Sequence, residues 1–153
     1  SIQPVINKQL TLLTASYGMR IHPFYKTLQS HQGVDYTIPE GSRVFATADG
    51  TVREVAQRNS TSGQTVVIDH GNGYETSYNH LSKINVRKGQ QVRRGDIIAL
   101  SGDTGLSLAP HLHYEVRYNG MRVDPIHYFF MELSPTEYQR LMRIAQSGMQ
   151  SFD

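Results

Sequence analysis

Two Asn-Gly pairs, Asn72-Gly73 and Asn119-Gly120, stand beside stretches whose side chains alternate in character, and this pattern constrains the fold more than any other feature of the chain. Both positions of an Asn-Gly pair tolerate positive φ, which a two-residue hairpin turn requires. Before the first pair lies Thr65-Val66-Val67-Ile68-Asp69, a β-branched run bounded by glycines. After it, Tyr74, Thr76, Tyr78 and His80 alternate with Glu75, Ser77 and Asn79. Gly89 and Gly95 punctuate the next segment, Asp96 to Ser101 reads as a further apolar strand, and Gly102-Asp103-Thr104-Gly105 as a loop. Before the second pair, Leu112, Tyr114, Val116 and Tyr118 alternate with His111, His113, Glu115 and Arg117. A period of two predicts strands, and such short connections predict antiparallel pairing. The end of the chain differs. Ser134-Pro135-Thr136-Glu137 is a capping box with proline at the first helical position, Tyr138, Leu141, Met142 and Ala145 follow at helical spacing, and Gly148 is the stop. The expected fold is therefore mainly β, an antiparallel sheet with a C-terminal α-helix.

Composition narrows the class. A chain of 153 residues with 38% hydrophobic side chains is long enough for one domain with its own core. It holds no run near the roughly 20 apolar residues that a spanning helix needs, so no membrane span is expected. SIQPVINKQL has no basic patch leading into an apolar stretch, hence no signal peptide, although a trimmed chain would also lack one. Arg87, Lys88, Arg93 and Arg94 flank a glycine-rich hairpin instead of interleaving with aromatics, which fits a solvated turn and argues against nucleic acid. There is no cysteine, so disulfides and thiol nucleophiles are excluded, and a metal must be held by nitrogen and oxygen.

Among seven histidines, three positions stand out. His31-Gln32-Gly33-Val34-Asp35 puts an imidazole and a carboxylate on one side of an extended chain. Alone this reads more simply as a hydrogen-bonded surface histidine. His111 and His113 share a strand face while Leu112 and Tyr114 turn to the core. Taken together, the two motifs supply the nitrogen and oxygen donors that zinc accepts when thiolates are missing. All four groups would close the coordination sphere, whereas a catalytic zinc takes three protein ligands. There is no HExxH motif to provide a helical base. An open site thus needs one of His111 and His113 as ligand and the other as acid or base, with His80 as a second non-ligating imidazole; spacing leaves the choice open.

The ordered set HQGVD, YNHLS, PHLHYEVRYNG and VDP resembles the LytM/lysostaphin-type zinc metallopeptidases of the M23 family. The resemblance runs from about Ser16 to Pro125 and takes in SYGMRIHP, VFATADGTV and VRKGQQVRRGDIIALSGDTG. It implies a duplicated-hybrid-motif-like β groove with the metal at its floor, a single catalytic Zn2+ held by His31, Asp35 and His113, and catalytic imidazoles at His80 and His111. It implies an extracytoplasmic endopeptidase acting on peptidoglycan peptides, with zinc polarising the scissile amide and the imidazoles moving protons. Arg20, in the opening turn, either touches substrate or braces a loop, the latter being favoured. Tyr25 or Tyr36 is offered as an oxyanion partner or as packing, and Glu115 as a carboxylate orienting a ring or, more simply, as a solvated residue. His70 and His127 read as structural. Residues 1–15 are expected to be a lead-in, 16–128 the peptidase domain and 129–153 a helical extension, with room for an upstream anchor or regulatory segment. Ser107-Leu108-Ala109 stands where many relatives carry glycine before the PHLH motif, which alters the groove wall. Two rivals remain: a regulated or inactive relative that activates a partner amidase, and a swinging-arm carrier suggested by VRKGQQVRRGDIIA. The first is disfavoured because all five site residues are present, the second because no modifiable lysine sits at the turn.

Overall fold

The computed structural model describes the backbone of residues 1–6, 13–15, 18–21, 28–31, 33–57, 61–105, 110–128 and 139, and the side chains of these except 13–31 and 126–127. The expected C-terminal helix falls, apart from position 139, outside them, as does Tyr25. Within them run β1 (Leu13–Ala15), β2 (Gly18–Ile21), β3 (Leu28–His31), β4 (Val34–Thr37), β5 (Arg43–Phe45), β6 (Gly50–Ala56), β7 (Gln64–Gly71), β8 (Tyr74–Ile84), β9 (Gln91–Val92), β10 (Ile97–Ser101), β11 (His111–Tyr118) and β12 (Met121–Val123), then a 3-10 turn at Pro125–Tyr128. Among the described residues no helix is long and apolar enough to cross a membrane.

All described pairings are antiparallel. The main sheet runs β1-β4-β11-β8-β7-β6-β9, with β10 joined to β5 and β8, and β12 to β11; β2 and β3 form a separate pair. Asn72 and Asn119 take φ of 53° and 51° at the two Asn-Gly turns, as the sequence chemistry requires. Strand β11 is the seam: it pairs β4 over His111–Tyr114 and β8 over His113–Tyr118. Cross-strand partners share a face, so Tyr36, Tyr78, Leu112 and Tyr114 enter the core together with Val34, Ile68 and Val116. The opposite face receives Asp35, Ser77, Asn79, His111, His113 and Glu115, all buried.

Two core tyrosines, Tyr78 and Tyr114, keep their hydroxyls satisfied through one chain of bonds. Tyr114 donates to Thr47 Oγ1 at 2.9 Å, Thr47 Oγ1 lies 3.1 Å from the Tyr78 hydroxyl, and that hydroxyl is 2.8 Å from Thr76 Oγ1. Thr76 continues to His70 Nε2 at 2.7 Å, and His70 Nδ1 reaches the Asp49 carbonyl at 2.8 Å. A carbonyl only accepts, so Nδ1 carries the hydrogen and every hydroxyl upstream donates in the same direction. Burial lowers the His70 pKa, against the Asp49 bond and nearby carboxylates, and so favours the neutral ring this order needs. Truncating the central hydroxyl by Tyr78→Phe leaves buried groups short of a partner and is expected to cost about 1–3 kcal/mol, measured by urea unfolding, with the fold retained.

Candidate active site

The site is built where β4, β11 and β8 lie side by side. On β4, Asp35 is paired with His113 of β11, which is paired in turn with Asn79 of β8. Gly33 allows the start of β4 to lie against β11. A Cβ at this position would stand 2.3 Å from the Tyr114 carbonyl oxygen, so no other residue fits without moving the strand. The glycine in the motif therefore has a packing reason, and it sets the approach of the segment that carries both His31 and Asp35.

Asp35 Oδ1 and His113 Nδ1 are 2.8 Å apart, with Asp35 fully buried and His113 nearly so. The other nitrogen of the ring, Nε2, is 2.9 Å from Glu115 Oε2, and Glu115 Oε1 accepts from Arg122 Nε at 3.0 Å. Burial acts to raise the Glu115 pKa, but the hydrogen bond and charge of His113 and the Arg122 guanidinium overcome it and hold the carboxyl at about 2. Glu115 is therefore a buried, ionised partner of His113, which corrects the simpler expectation of a solvated strand residue. Strand alternation gave its face correctly; the approach of Arg122 from β12 made its burial affordable and left no mark on the local sequence pattern.

His111 Nε2 is 3.8 Å from Asp35 Oδ1, beyond hydrogen-bond range, and its ring is fully buried. The His80 ring lies beside it, with centroids 4.6 Å apart and planes inclined by 44°, and is 6.4 Å from the His113 ring. Simple alternation along β8 would have put His80 on the core face with Tyr78. Instead its φ is 60°, and the β7 register slips by one residue between Val66↔Tyr78 and Gln64↔Leu81. This bulge, at the point where β8 leaves β11 and takes up β10, turns the imidazole toward His111. Histidine is among the few non-glycine residues enriched in that backbone region.

The remaining expected residues divide. Tyr36 lies on the face of β4 opposite Asp35, fully buried, with its hydroxyl donating to Gln3 Oε1 at 3.1 Å, so it packs the core and is not at the site. His31 and Arg20 have their backbones in β3 and β2, but their side chains lie outside the described residues, as does that of His127. Arg122 and Thr104 were not found from the sequence. Each reaches the cluster from another strand or loop, so nothing in the residues beside it marks its role.

A mainly antiparallel sheet thus gathers imidazoles and carboxylates on one buried face, in a chain without thiols. The model for Peptidase family M23 matches residues 29–125. The chain is 49% identical over 106 residues to the peptidoglycan DD-endopeptidase ShyA of Vibrio cholerae, covering 69% of this chain and 24% of ShyA. It superposes on a zinc-containing peptidase from Vibrio cholerae with a TM-score of 0.73 at 41% identity, covering 80% of this chain and 37% of the other. On the catalytic domain of lysostaphin from Staphylococcus simulans the TM-score is 0.69 at 32% identity, over 82% and 98% of the two chains. This chain belongs to peptidase family M23. It spans about a quarter of the length of the curated relatives it matches.

Because Gly33 sits flush against β11, Gly33→Ala is expected to lose about 1–3 kcal/mol through overpacking. Thermal unfolding measures the loss, and a variant as stable as the parent would mean that the segment can shift freely.

Proposed function

We propose that this chain is the catalytic unit of a zinc metalloendopeptidase that hydrolyses peptide cross-links of bacterial peptidoglycan outside the cytoplasm. The observation that carries the reading is the pair Asp35 Oδ1 and His113 Nδ1, 2.8 Å apart and buried, flanked by two further imidazoles. Two donors at that separation, of the types zinc prefers without thiolates, fit a shared ion. His31 is the third ligand, four residues before Asp35 in the HQGVD motif. One ion is sufficient for this donor set. Bound there, zinc supplies Lewis-acid polarisation of the scissile carbonyl and of the attacking water.

The chain's own groups do the rest. With zinc bound, Glu115 would accept a hydrogen bond from His113 Nε2–H and so leave the Nδ1 lone pair for the ion shared with Asp35. Arg122 keeps that carboxylate ionised and oriented. His80 and His111 lie beside the donors, where imidazoles can accept a proton from water and deliver one to the leaving amine nitrogen as the C–N bond breaks. The name of ShyA, a peptidoglycan DD-endopeptidase, supports the substrate class. An activator of a partner amidase would have no use for Asp35, His80, His111 and His113 together, and their convergence favours catalysis.

His113→Ala is expected to abolish both zinc retention and cleavage, whereas His80→Ala keeps zinc and loses cleavage; metal analysis and turnover separate them. Loss of zinc from His80→Ala would overturn the ligand assignment. Glu115→Gln is expected to weaken zinc binding by about 10–100-fold, read by chelator competition. The substrate is tested by mass spectrometry of muropeptides after zinc-loaded protein meets cross-linked sacculi, with a chelated control. Zinc-dependent conversion of dimers to monomers with new amine termini is expected, and unchanged dimers with zinc bound would overturn the endopeptidase reading.

A further inference from the structure

We propose that the loop Gly102–Gly105 is the positioning device of the two non-ligating imidazoles, and that Thr104 fixes the His80 ring as its Nδ1–H tautomer. The inference rests on the hydrolase reading above and adds to it which ring atom accepts a proton.

The Thr104 carbonyl is hydrogen-bonded to His80 Nδ1. A carbonyl oxygen only accepts, so Nδ1 donates, and in the neutral ring Nε2 is left with the lone pair. A histidine without such a partner distributes its hydrogen between both nitrogens. Here one tautomer is selected before substrate arrives, and it has its acceptor atom on the ring edge away from Thr104.

The loop is fixed tightly enough to impose this. Thr104 Oγ1 donates to the Leu81 carbonyl at 2.8 Å and accepts from the Gln64 amide at 3.0 Å, so one hydroxyl ties the loop to both β8 and β7. Two glycines let the backbones meet. A Cβ at Gly63 would lie 2.4 Å from the Thr104 carbonyl oxygen, and a Cβ at Gly105 would lie 2.3 Å from the Gly63 nitrogen. The same loop also holds the other imidazole's backbone, since the His111 amide donates to the Gly102 carbonyl at 3.2 Å. A Cβ at Gly102 would in turn stand 2.6 Å from the Ser82 nitrogen, which presses the loop onto the bulge that turns His80. One short segment thus registers the ring of His80 and the main chain of His111 against each other.

Where His80 is the imidazole that takes the water proton, the water oxygen bonds to the carbonyl carbon, the proton passes to His80 Nε2, and the amide C–N bond breaks. A proton then reaches the leaving amine nitrogen, and the ring returns to its starting state. Through the middle of that cycle the Nδ1–H bond to Thr104 stabilises the charged ring; the carbonyl makes the bond, and the threonine hydroxyl holds that carbonyl in place. Thr104 is a positioning residue, acting through His80.

The test uses the zinc-loaded protein with 15N-labelled histidine, in parent, Thr104→Val and Thr104→Ser forms. Long-range nitrogen–hydrogen correlation spectra read the His80 tautomer directly, whether or not the protein turns over. The expected result is Nδ1–H in the parent and in Thr104→Ser, which keeps the hydroxyl anchor, and a mixed tautomer in Thr104→Val. With zinc content and KM unchanged, kcat of Thr104→Val is expected to fall about tenfold or more, and Thr104→Ser to restore it. An Nε2–H ring in the parent would overturn the proposal without any variant having to fold. Equal kcat in parent and folded Thr104→Val would also overturn it. Absence of hydrolysis by the parent sinks the function proposed above and leaves the tautomer readable, so the two failures are distinguishable.

Discussion

Everything at the site depends on β11 being paired on both sides. With β4 on one flank and β8 on the other, His113 has Asp35 and Asn79 as direct cross-strand partners, and the three are brought into line by backbone hydrogen bonds. A slip of one residue in either pairing would send the imidazole into the core and Leu112 or Tyr114 to the polar face. The register is held by the apolar face itself, because Tyr36, Tyr78, Leu112 and Tyr114 are fully buried and have no place on the other side. Core packing and site geometry are therefore two faces of one constraint.

The polar face is unusual in being buried as deeply as the apolar one. Asp35 and His111 have no exposure, and His80, His113 and Glu115 have little. Such groups cost free energy unless each has a partner. Arg122 bonds Glu115, Glu115 bonds His113, and His113 meets Asp35, so charge and hydrogen bonding run continuously from β12 to β4. On the other side of the sheet, the run from Tyr114 to His70 serves the same end with neutral groups. The first chain links charged groups and an imidazole, while the second satisfies hydroxyls.

His80 and Glu115 mark where local pattern reading stops. The alternation of residues 74–80 is real up to Asn79, but the β7 register slip and the φ of 60° at His80 move its ring across the sheet. A bulge is decided by which strand comes next, here β10 replacing β11 along β8, and that is a nonlocal fact. Glu115 could be given a face from the sequence but not a partner, since Arg122 arrives only when β12 folds back. Tyr36 was offered two roles, and the pleat of β4 leaves it the packing one.

The sequence by itself determined the strands at β7, β8, β10 and β11, the turns at Asn72-Gly73 and Asn119-Gly120, and the nitrogen and oxygen donors available, because alternation, turn chemistry and the absence of cysteine are local or compositional properties. It also carried the resemblance to the M23 family, written in short ordered motifs. Only the tertiary structure decided which side chains meet on the polar face, which way the His80 ring faces, and that Thr104 and Arg122 bond into the cluster from elsewhere in the chain. Those are distances between segments far apart in the chain, set by strand register and by glycines that let backbones touch.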